Sequence, residues 1–207
     1  MSEGISKHNS NISYEKFQNI KNKYGHMSSW AIWNEWKPTE KAKSGMGDIS
    51  FFDNPSMELL KTLKPNIVLV ALNISRKFDR PFGNFHPDYS AAQDYKTRYA
   101  LQGTPLWGAY MTDIIKNFEE RISGKIMSFL RKNPDFTKEN IASFKEELRD
   151  IGALNPILIA LGKDSYDILH KNLKDEFRIF RVTHYSHFIS KEKLREEFLA
   201  IIADIQK

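Results

Sequence analysis

The sequence predicts an α/β protein, a three-layer sandwich in which helices cover both faces of a central, mostly parallel sheet of about four strands. Short apolar segments rich in β-branched residues alternate with segments whose apolar residues recur every three or four positions. Residues 67–72 and 157–161 are nearly continuous apolar runs, which is typical of strands covered on both faces. Strands that alternate with helices in this way indicate a parallel sheet.

The first third of the chain contains two predicted helices and the first strand. A helix begins near residue 14 and ends near Gly25, and a short helix capped by Ser56 precedes the strand at residues 67–72. Three tryptophans between these helices are spaced by three residues, which predicts one helical face: Trp30, Trp33 and Trp36. We expect this face to pack in the core, and a stacking surface for bases is the less common alternative.

The remaining elements alternate between strand and helix. Residues 108–118 are ambiguous between a strand and a strand-to-helix segment. The elements predicted after it are helices at 125–133 and 137–152, a strand at 157–161, a helix at 163–173, a strand at 179–183 and a final amphipathic helix capped by Ser190.

Composition narrows the class of protein. The chain has 207 residues, of which 41% are hydrophobic, enough for one domain with a sizeable core. We expect residues 1–12 to form a flexible tail and residues 13–207 a single domain. The absence of cysteine excludes disulfides and thiolate chemistry. No secretory signal and no run of about 18 apolar residues is present, so we expect a soluble, cytoplasmic monomer that does not bind membranes.

Polar side chains follow the predicted strands at the edge where ligands bind in open α/β sheets. These residues are Asn73, Asp113, Gly162 and His184. Taken alone, Asn73 is typical of a turn cap and His184 of a half-buried histidine. As a pair they indicate chemistry, because an amide can position a water and a histidine can stabilise an oxygen that gathers negative charge.

Common catalytic motifs are absent from the sequence. It contains neither GxxxxGK[ST] nor GxGxxG, so no phosphate-binding loop of those types is expected, and no GxSxG motif supplies a nucleophile. His184 and His187 have no carboxylate or cysteine partner nearby in the sequence, which makes them a weak zinc signal. We therefore expect no metal site.

The remaining motifs resemble those of the uracil-DNA glycosylase superfamily, in particular its mismatch-specific and single-strand-selective branches. The segment ALNIS at residues 71–75 resembles the first motif of the family, G-[IML]-N-P-[GS], and RPFGNFH resembles its aromatic loop. The segments YMTDIIK, ILIALGKDSYDIL and HYS resemble its middle segment, its strand–glycine–helix block and its H-P-S motif. The similarity extends from about residue 64 to residue 188 in the family's order.

The sequence departs from the family pattern at three positions. Ala71 replaces the first glycine, and Ile74 and Tyr185 replace prolines. These changes alter how closely the backbone can approach a base and the DNA phosphates. The resemblance therefore supports the fold more strongly than the glycosylase activity.

The resemblance implies a hydrolase for DNA repair that cleaves the N-glycosidic bond of a flipped uracil or related damaged base. Asn73 would position the attacking water, and His184 would stabilise charge on the leaving base. The substrate-binding residues would be Phe85, Phe82, Gly83, Asp113 and Ser186. Phe85 would stack on the base, with Phe82 as the less favoured alternative, Gly83 would allow close backbone approach, Asp113 would line the pocket, and Ser186 would hold phosphate. Single- or double-stranded DNA would contact Arg76, Lys77, Arg80, Tyr185 and His187. The resemblance implies no cofactor.

Two other classes of function remain open. One is a protein of the same fold that binds nucleic acid or a nucleotide without cutting the glycosidic bond. The other is an unrelated α/β enzyme that acts on a small molecule. The formal net charge of +5 favours a polyanionic partner, because basic surface attracts phosphate.

Overall fold

The computed structural model describes residues 12–76 and 78–207, which contain a five-stranded sheet. The strands are β1 (Ser29–Trp30), β2 (Lys64–Asn73), β3 (Ala109–Ile115), β4 (Ile157–Leu161) and β5 (Arg178–Val182). Their order in the sheet is β1-β3-β2-β4-β5; β1 is antiparallel to β3, and all other pairs are parallel. The predicted α/β class is confirmed, with five strands where about four were expected, because the tryptophan-rich segment adds the short β1. The ambiguous segment at residues 108–118 contains strand β3.

Helices connect the strands. They are α1 (Tyr14–Tyr24), α2 (Met57–Thr62), α3 (Tyr95–Leu101), α4 (Ser123–Lys132), α5 (Pro134–Asp150), α6 (Lys163–Leu173) and α7 (Lys191–Ile205). The hydroxyls of Ser56 and Ser190 accept the backbone N–H groups of Leu59 and Lys193, both at 3.1 Å, so the two predicted caps are confirmed. Among the residues described, no helix is long and apolar enough to cross a membrane.

Alternate residues of β2 pack into two separate cores, one on each face of the sheet. Val68 and Val70 belong to the core formed with α1, α2, α4, α5 and α6. Ile67 and Leu69 belong to the core formed with α3 and α7. Because helices cover both faces, residues 65–72 of the central strand are all buried, which explains the continuous apolar run at 67–72.

The tryptophan-rich segment is not helical, so the prediction of one helical face was wrong. Trp30 lies in β1, and its ring centre is 4.9 Å from that of Tyr110 on β3. Trp33 packs on the other face of the sheet, 5.7 Å from Trp107. Pairing of β1 with β3 extends the chain here and sends Trp30 and Trp33 into opposite cores. Both are buried as expected for core residues, and Trp36 is half-buried.

The predicted N-terminal tail lies mostly outside the described residues. Of its positions only Ile12 is described, and it is buried in the core against the helices of one face. The structured part of the chain therefore includes residue 12.

Candidate functional site

A cavity of about 600 Å³ opens at the carboxyl ends of the parallel strands. Asn73 at the end of β2, Gly162 after β4 and His184 after β5 all line it. Its volume is in the range of pockets that bind small ligands. The sequence-based expectation that Asn73 and His184 share one cleft therefore agrees with the geometry.

The amide of Asn73 is held by the backbone of two loops. Its Nδ2 donates to the carbonyl oxygens of Ile74 at 2.9 Å, Phe118 at 3.0 Å and Glu120 at 2.8 Å. Because carbonyls only accept, these contacts use both amide hydrogens and fix the orientation of the group. Asn73 thus anchors the loop after β3, and Oδ1 remains the atom that can accept a hydrogen bond in the cavity.

His184 is held in one tautomer by the residue two positions later. The backbone N–H of Ser186 donates to Nδ1 at 3.2 Å, and the Ser186 hydroxyl oxygen lies 2.8 Å from the same nitrogen. Nδ1 therefore acts as an acceptor, and the ring proton resides on Nε2. Burial lowers the pKa of His184 to about 4, and nearby His187 acts in the same direction. The side chain is therefore a neutral donor at physiological pH.

A glycine permits the close approach to β4 of residues 183–190, the loop that carries His184 and is called the histidine loop below. Gly162 has φ +102°, and a Cβ atom at this position would lie 3.1 Å from the Cβ of His184. A larger residue would be strained in its backbone and would push His184 away from the sheet. Gly162 also starts α6, whose first turn lines the cavity.

The two phenylalanines of the aromatic loop point to different places. Phe85 lines the cavity, whereas Phe82 is fully buried with its ring centre 5.4 Å from Phe17 and 5.3 Å from Phe52. Packing in the core thus removes Phe82 from the cavity wall. The stacking role predicted for this loop falls on Phe85 alone.

Both phenylalanines adopt a left-handed backbone conformation, with φ of 64° for Phe82 and 68° for Phe85. This conformation costs bulky residues on the order of 1–3 kcal/mol each, so surrounding contacts must hold it. The hydroxyl of Ser29 donates to the carbonyl of Phe82 at 2.9 Å, and the indole N–H of Trp33 donates to that of Phe85 at 3.3 Å. The β1 region therefore holds the loop in place.

Asp113 lies behind the cavity wall and does not line it. Its side chain is buried, and its Oδ2 accepts a hydrogen bond from Nδ2 of Asn84 at 2.9 Å. Burial raises the pKa of Asp113 to about 7, although the nearby Lys116 ammonium and the Asn84 hydrogen bond oppose the shift. Asn84, which does line the cavity, separates this carboxyl from the ligand space.

Residues at the start of α3 form hydrogen bonds with the histidine loop. Nζ of the buried Lys96 donates to the carbonyls of Tyr185 at 3.1 Å and His187 at 3.4 Å. Asp94, also buried, lines the cavity and accepts a hydrogen bond from the Tyr185 hydroxyl. Burial raises the pKa of Asp94 to about 6, and that hydrogen bond acts in the opposite direction. The ring of Tyr185 in turn stacks on His184, with centres 4.3 Å apart.

Some predicted DNA-contacting residues lie at the cavity and others do not. Those that line it are Arg76, Tyr185 and His187, and Ser186, predicted as a substrate-binding residue, lines it as well. Arg80 is exposed and forms an ion pair with Asp53 at 3.1 Å. Gly83, predicted as a substrate-binding residue, is buried within the aromatic loop and does not line the cavity. Lys77 lies outside the described residues.

Sequence reasoning missed several polar residues of the cavity, among them Asn84, Asp94 and Tyr89. Asn84 stands inside the aromatic motif, so its position was a usable signal. The guanidinium carbon of Arg76 lies 3.9 Å from the ring centre of Tyr89, a contact that depends on how the loop folds back. Asp94 precedes a short helix and carries no distinctive pattern.

Comparisons of the chain with protein-family models, with curated proteins and with solved structures found no match.

Proposed function

We propose that this protein is a DNA glycosylase-like hydrolase that removes a flipped uracil or related damaged base. One observation supports this proposal above all others: Asn73 and His184, from the ends of two different parallel strands, line one cavity together with Phe85. Amide, histidine and aromatic ring are the groups that such a reaction needs, namely a water-positioning acceptor, a donor to the leaving base and a stacking surface.

The spacing between the two polar groups suits a planar base. β4 separates β2 from β5 in the sheet, so the strand ends that carry Asn73 and His184 are two strand spacings apart, about 10 Å. Oδ1 of Asn73 would accept a hydrogen bond from a water that attacks C1′ of the sugar. Nε2–H of His184 would donate to the oxygen of the departing base. The water's hydroxyl ends on the sugar, and its proton ends on the base.

An exposed aromatic residue next to the cavity supports a nucleic-acid substrate. Phe188 is fully exposed at the end of the loop that carries His184. Apolar side chains of this kind can insert between base steps and fill the space that a flipped base leaves. Contact with DNA would remove this apolar ring from water, which favours binding.

The net charge of the chain supports binding of DNA. Arg76, Arg121 and Lys163 line the cavity, and they are balanced there by three acidic residues, Asp94, Glu120 and Asp164. The support from charge therefore comes from the whole chain, which carries a formal net charge of +5. Affinity for short DNA should fall by an order of magnitude or more between about 50 and 200 mM salt, because bound cations are released on association. We also propose that the protein is a cytoplasmic monomer that needs no cofactor.

A second function is favoured by a specific observation. Nδ2 of Asn73 holds the loop after β3 through the carbonyls of Phe118 and Glu120, which is a structural task that needs no catalysis. Together with Ala71, Ile74 and Tyr185 at the positions of the family's glycine and prolines, this supports a nucleic-acid- or nucleotide-binding protein that does not cut the bond.

A base-release assay tests the proposal. Single- and double-stranded oligonucleotides with one deoxyuridine are incubated with the protein and then treated with alkali, which breaks the strand at an abasic site. We expect cleavage at the deoxyuridine position with wild type and its loss with a double Asn73→Ala, His184→Ala variant. Salt-dependent binding of these strands without any base release would reject the glycosylase and support the binding protein.

A further inference from the structure

A row of half-buried aromatic side chains leads away from the wall of the cavity. Tyr89 lines the cavity, and it also lines a small adjoining pocket together with Tyr95. Tyr99 lies one helical turn after Tyr95, so both rings lie on the same face of α3. The ring centre of Trp36 is 5.7 Å from that of Tyr99. We refer to these four half-buried residues, Tyr89, Tyr95, Tyr99 and Trp36, as the aromatic strip.

Each ring of the aromatic strip has a cation beside it. The guanidinium carbon of Arg76 lies 3.9 Å from the ring centre of Tyr89. Nζ of Lys43 lies 5.5 Å from the ring centre of Tyr95. Nζ of Lys191 lies 4.4 Å from the centre of the last tyrosine ring of the strip and 5.9 Å from that of the tryptophan. Positive charge therefore accompanies flat apolar surface along the whole strip.

The charge around the aromatic strip is positive on balance. Among the described residues, the three cations beside the rings form one ion pair, that of Lys191 with Glu192. The loop at residues 37–42, which joins the tryptophan of the strip to Lys43, adds two exposed lysines against one exposed glutamate. Asp88 is the one acidic residue that lines the small pocket. This excess of cations suits a polyanionic ligand.

We propose that the aromatic strip binds the unpaired nucleotides on one side of the flipped base, so that the preferred substrate is single-stranded DNA. This inference rests on the proposed function, because it assumes that a nucleotide occupies the cavity where the strip begins. Rows of aromatic rings with cations between them bind single strands by stacking on the bases and attracting the phosphates. A duplex covers the faces of its bases, so its bases cannot stack on the rings. The strip leaves the cavity on one side only, so it engages one flank of the strand.

Binding of uncleavable strands tests the inference without requiring catalysis. Each probe is a single-stranded oligonucleotide with one central 2′-fluoroarabino uracil nucleotide, whose fluorine suppresses glycosidic cleavage. Fluorescence anisotropy compares an unmodified strand with strands whose 5′ or 3′ flank consists of abasic spacers, which keep the phosphates and lack the bases. For wild type we expect spacers on one flank to weaken binding by about tenfold or more, because the stacked bases are lost. Spacers on the other flank should have little effect.

Two variants locate this effect on the molecule. A double Tyr95→Leu, Tyr99→Leu variant should bind the unmodified strand and both spacer strands with nearly equal affinity. Tyr166→Leu is the matched control, because Tyr166 is also half-buried and its ring centre lies 5.6 Å from the guanidinium carbon of Arg181. Tyr166 lies on α6 and does not line the cavity, so its variant should keep the wild-type pattern.

The outcomes separate this inference from the proposed function. A one-sided effect of the spacers in wild type, lost in the double variant, supports the aromatic strip even if no base is ever released. Equal affinity of wild type for all the strands overturns the inference, as does a full spacer effect in the folded double variant. If the double variant does not fold, Tyr95→Leu alone is the second test, and an unchanged spacer effect there also overturns it. Base release without any spacer effect retains the proposed function and rejects the strip.

Discussion

The backbone N–H of Ser186 donates to Nδ1 of His184, and this hydrogen bond leaves the imidazole proton on Nε2. Burial keeps the ring neutral by lowering its pKa to about 4. The cavity therefore contains a neutral donor whose direction is set by the loop that follows β5.

Replacing His184 should affect the chemical step. His184→Ala is expected to lower base release by about 100-fold, the size of effect seen when one donor to a developing negative charge is removed. His184→Gln, which retains an N–H donor, should lose less. Rates are measured at saturating protein over substrate, with His170→Ala on the exposed end of α6 as the control. Equal rates for wild type and His184→Ala would remove the histidine from the mechanism.

Replacing Asn73 should affect both stability and base release, because its amide anchors a loop. Asn73→Ala is expected to lower the free energy of unfolding by about 1–3 kcal/mol and to abolish release per folded molecule while DNA binding persists. Asn140→Ala is a matched control, since Asn140 is buried, donates to the carbonyl of Phe136 and does not line the cavity. It should lose similar stability with unchanged release. If both variants behave alike in the release assay, Asn73 is a structural residue only.

The two phenylalanines of the aromatic loop should respond differently to the same substitution. Phe85→Leu is expected to weaken binding of a uracil strand by about tenfold, because base–aromatic stacking contributes roughly 1–3 kcal/mol. Phe82→Leu should lower stability through lost packing with Phe17 and Phe52 and leave binding per folded molecule unchanged. Titrations by anisotropy, corrected for the folded fraction, distinguish these outcomes. If Phe82→Leu weakened binding and Phe85→Leu did not, Phe85 would not be the stacking ring.

Phe188 should matter for duplex DNA and not for single strands. If the Phe188 ring fills the gap left by a flipped base, Phe188→Ala is expected to reduce base release from double-stranded substrate by about tenfold. Unstacking a base costs a few kcal/mol, and insertion of the ring offsets part of that cost. A single-stranded substrate has no base stack with a gap to fill, so its rate of base release should not change. Leu154→Ala, at another exposed apolar position, is the control. An equal loss on both substrates would indicate a general contact.

The pH dependence of stability should reveal the buried carboxyl of Asp113. Its pKa is near 3.8 in the unfolded chain and about 7 in the folded protein. Between these values the folded state keeps a proton that the unfolded state has released, so the wild-type protein loses stability as pH rises through this window. Asparagine cannot ionise, so Asp113→Asn should gain stability relative to wild type by up to about 1.4 kcal/mol per pH unit there, and no more above it.

Urea unfolding at a series of pH values measures this difference. Asp175→Asn, at an exposed position, is the control, and its difference from wild type should stay nearly constant with pH. A constant difference for Asp113→Asn as well would mean that Asp113 is ionised in the folded protein.

The sequence by itself determined the sheet and the edge at which the site lies. Continuous apolar runs at residues 67–72 and 157–161 require cover on both faces, and the carboxyl ends of parallel strands meet at one edge. Asn73 and His184 therefore had to lie near each other once those strands were recognised. Local signals also sufficed for the helix caps at Ser56 and Ser190, because a cap depends only on residues within one turn.

Only the tertiary structure decided which side chains face the cavity. Phe82 and Phe85 belong to one motif and share a left-handed backbone, yet contacts with Phe17 and Phe52 bury the first. The Met27 carbonyl orients Asn84, although the two residues are far apart in sequence. Side-chain periodicity encodes the face of a helix or strand, whereas loop orientation depends on contacts between distant segments. For this reason the edge of the sheet was predictable from the sequence, and the lining of the cavity was not.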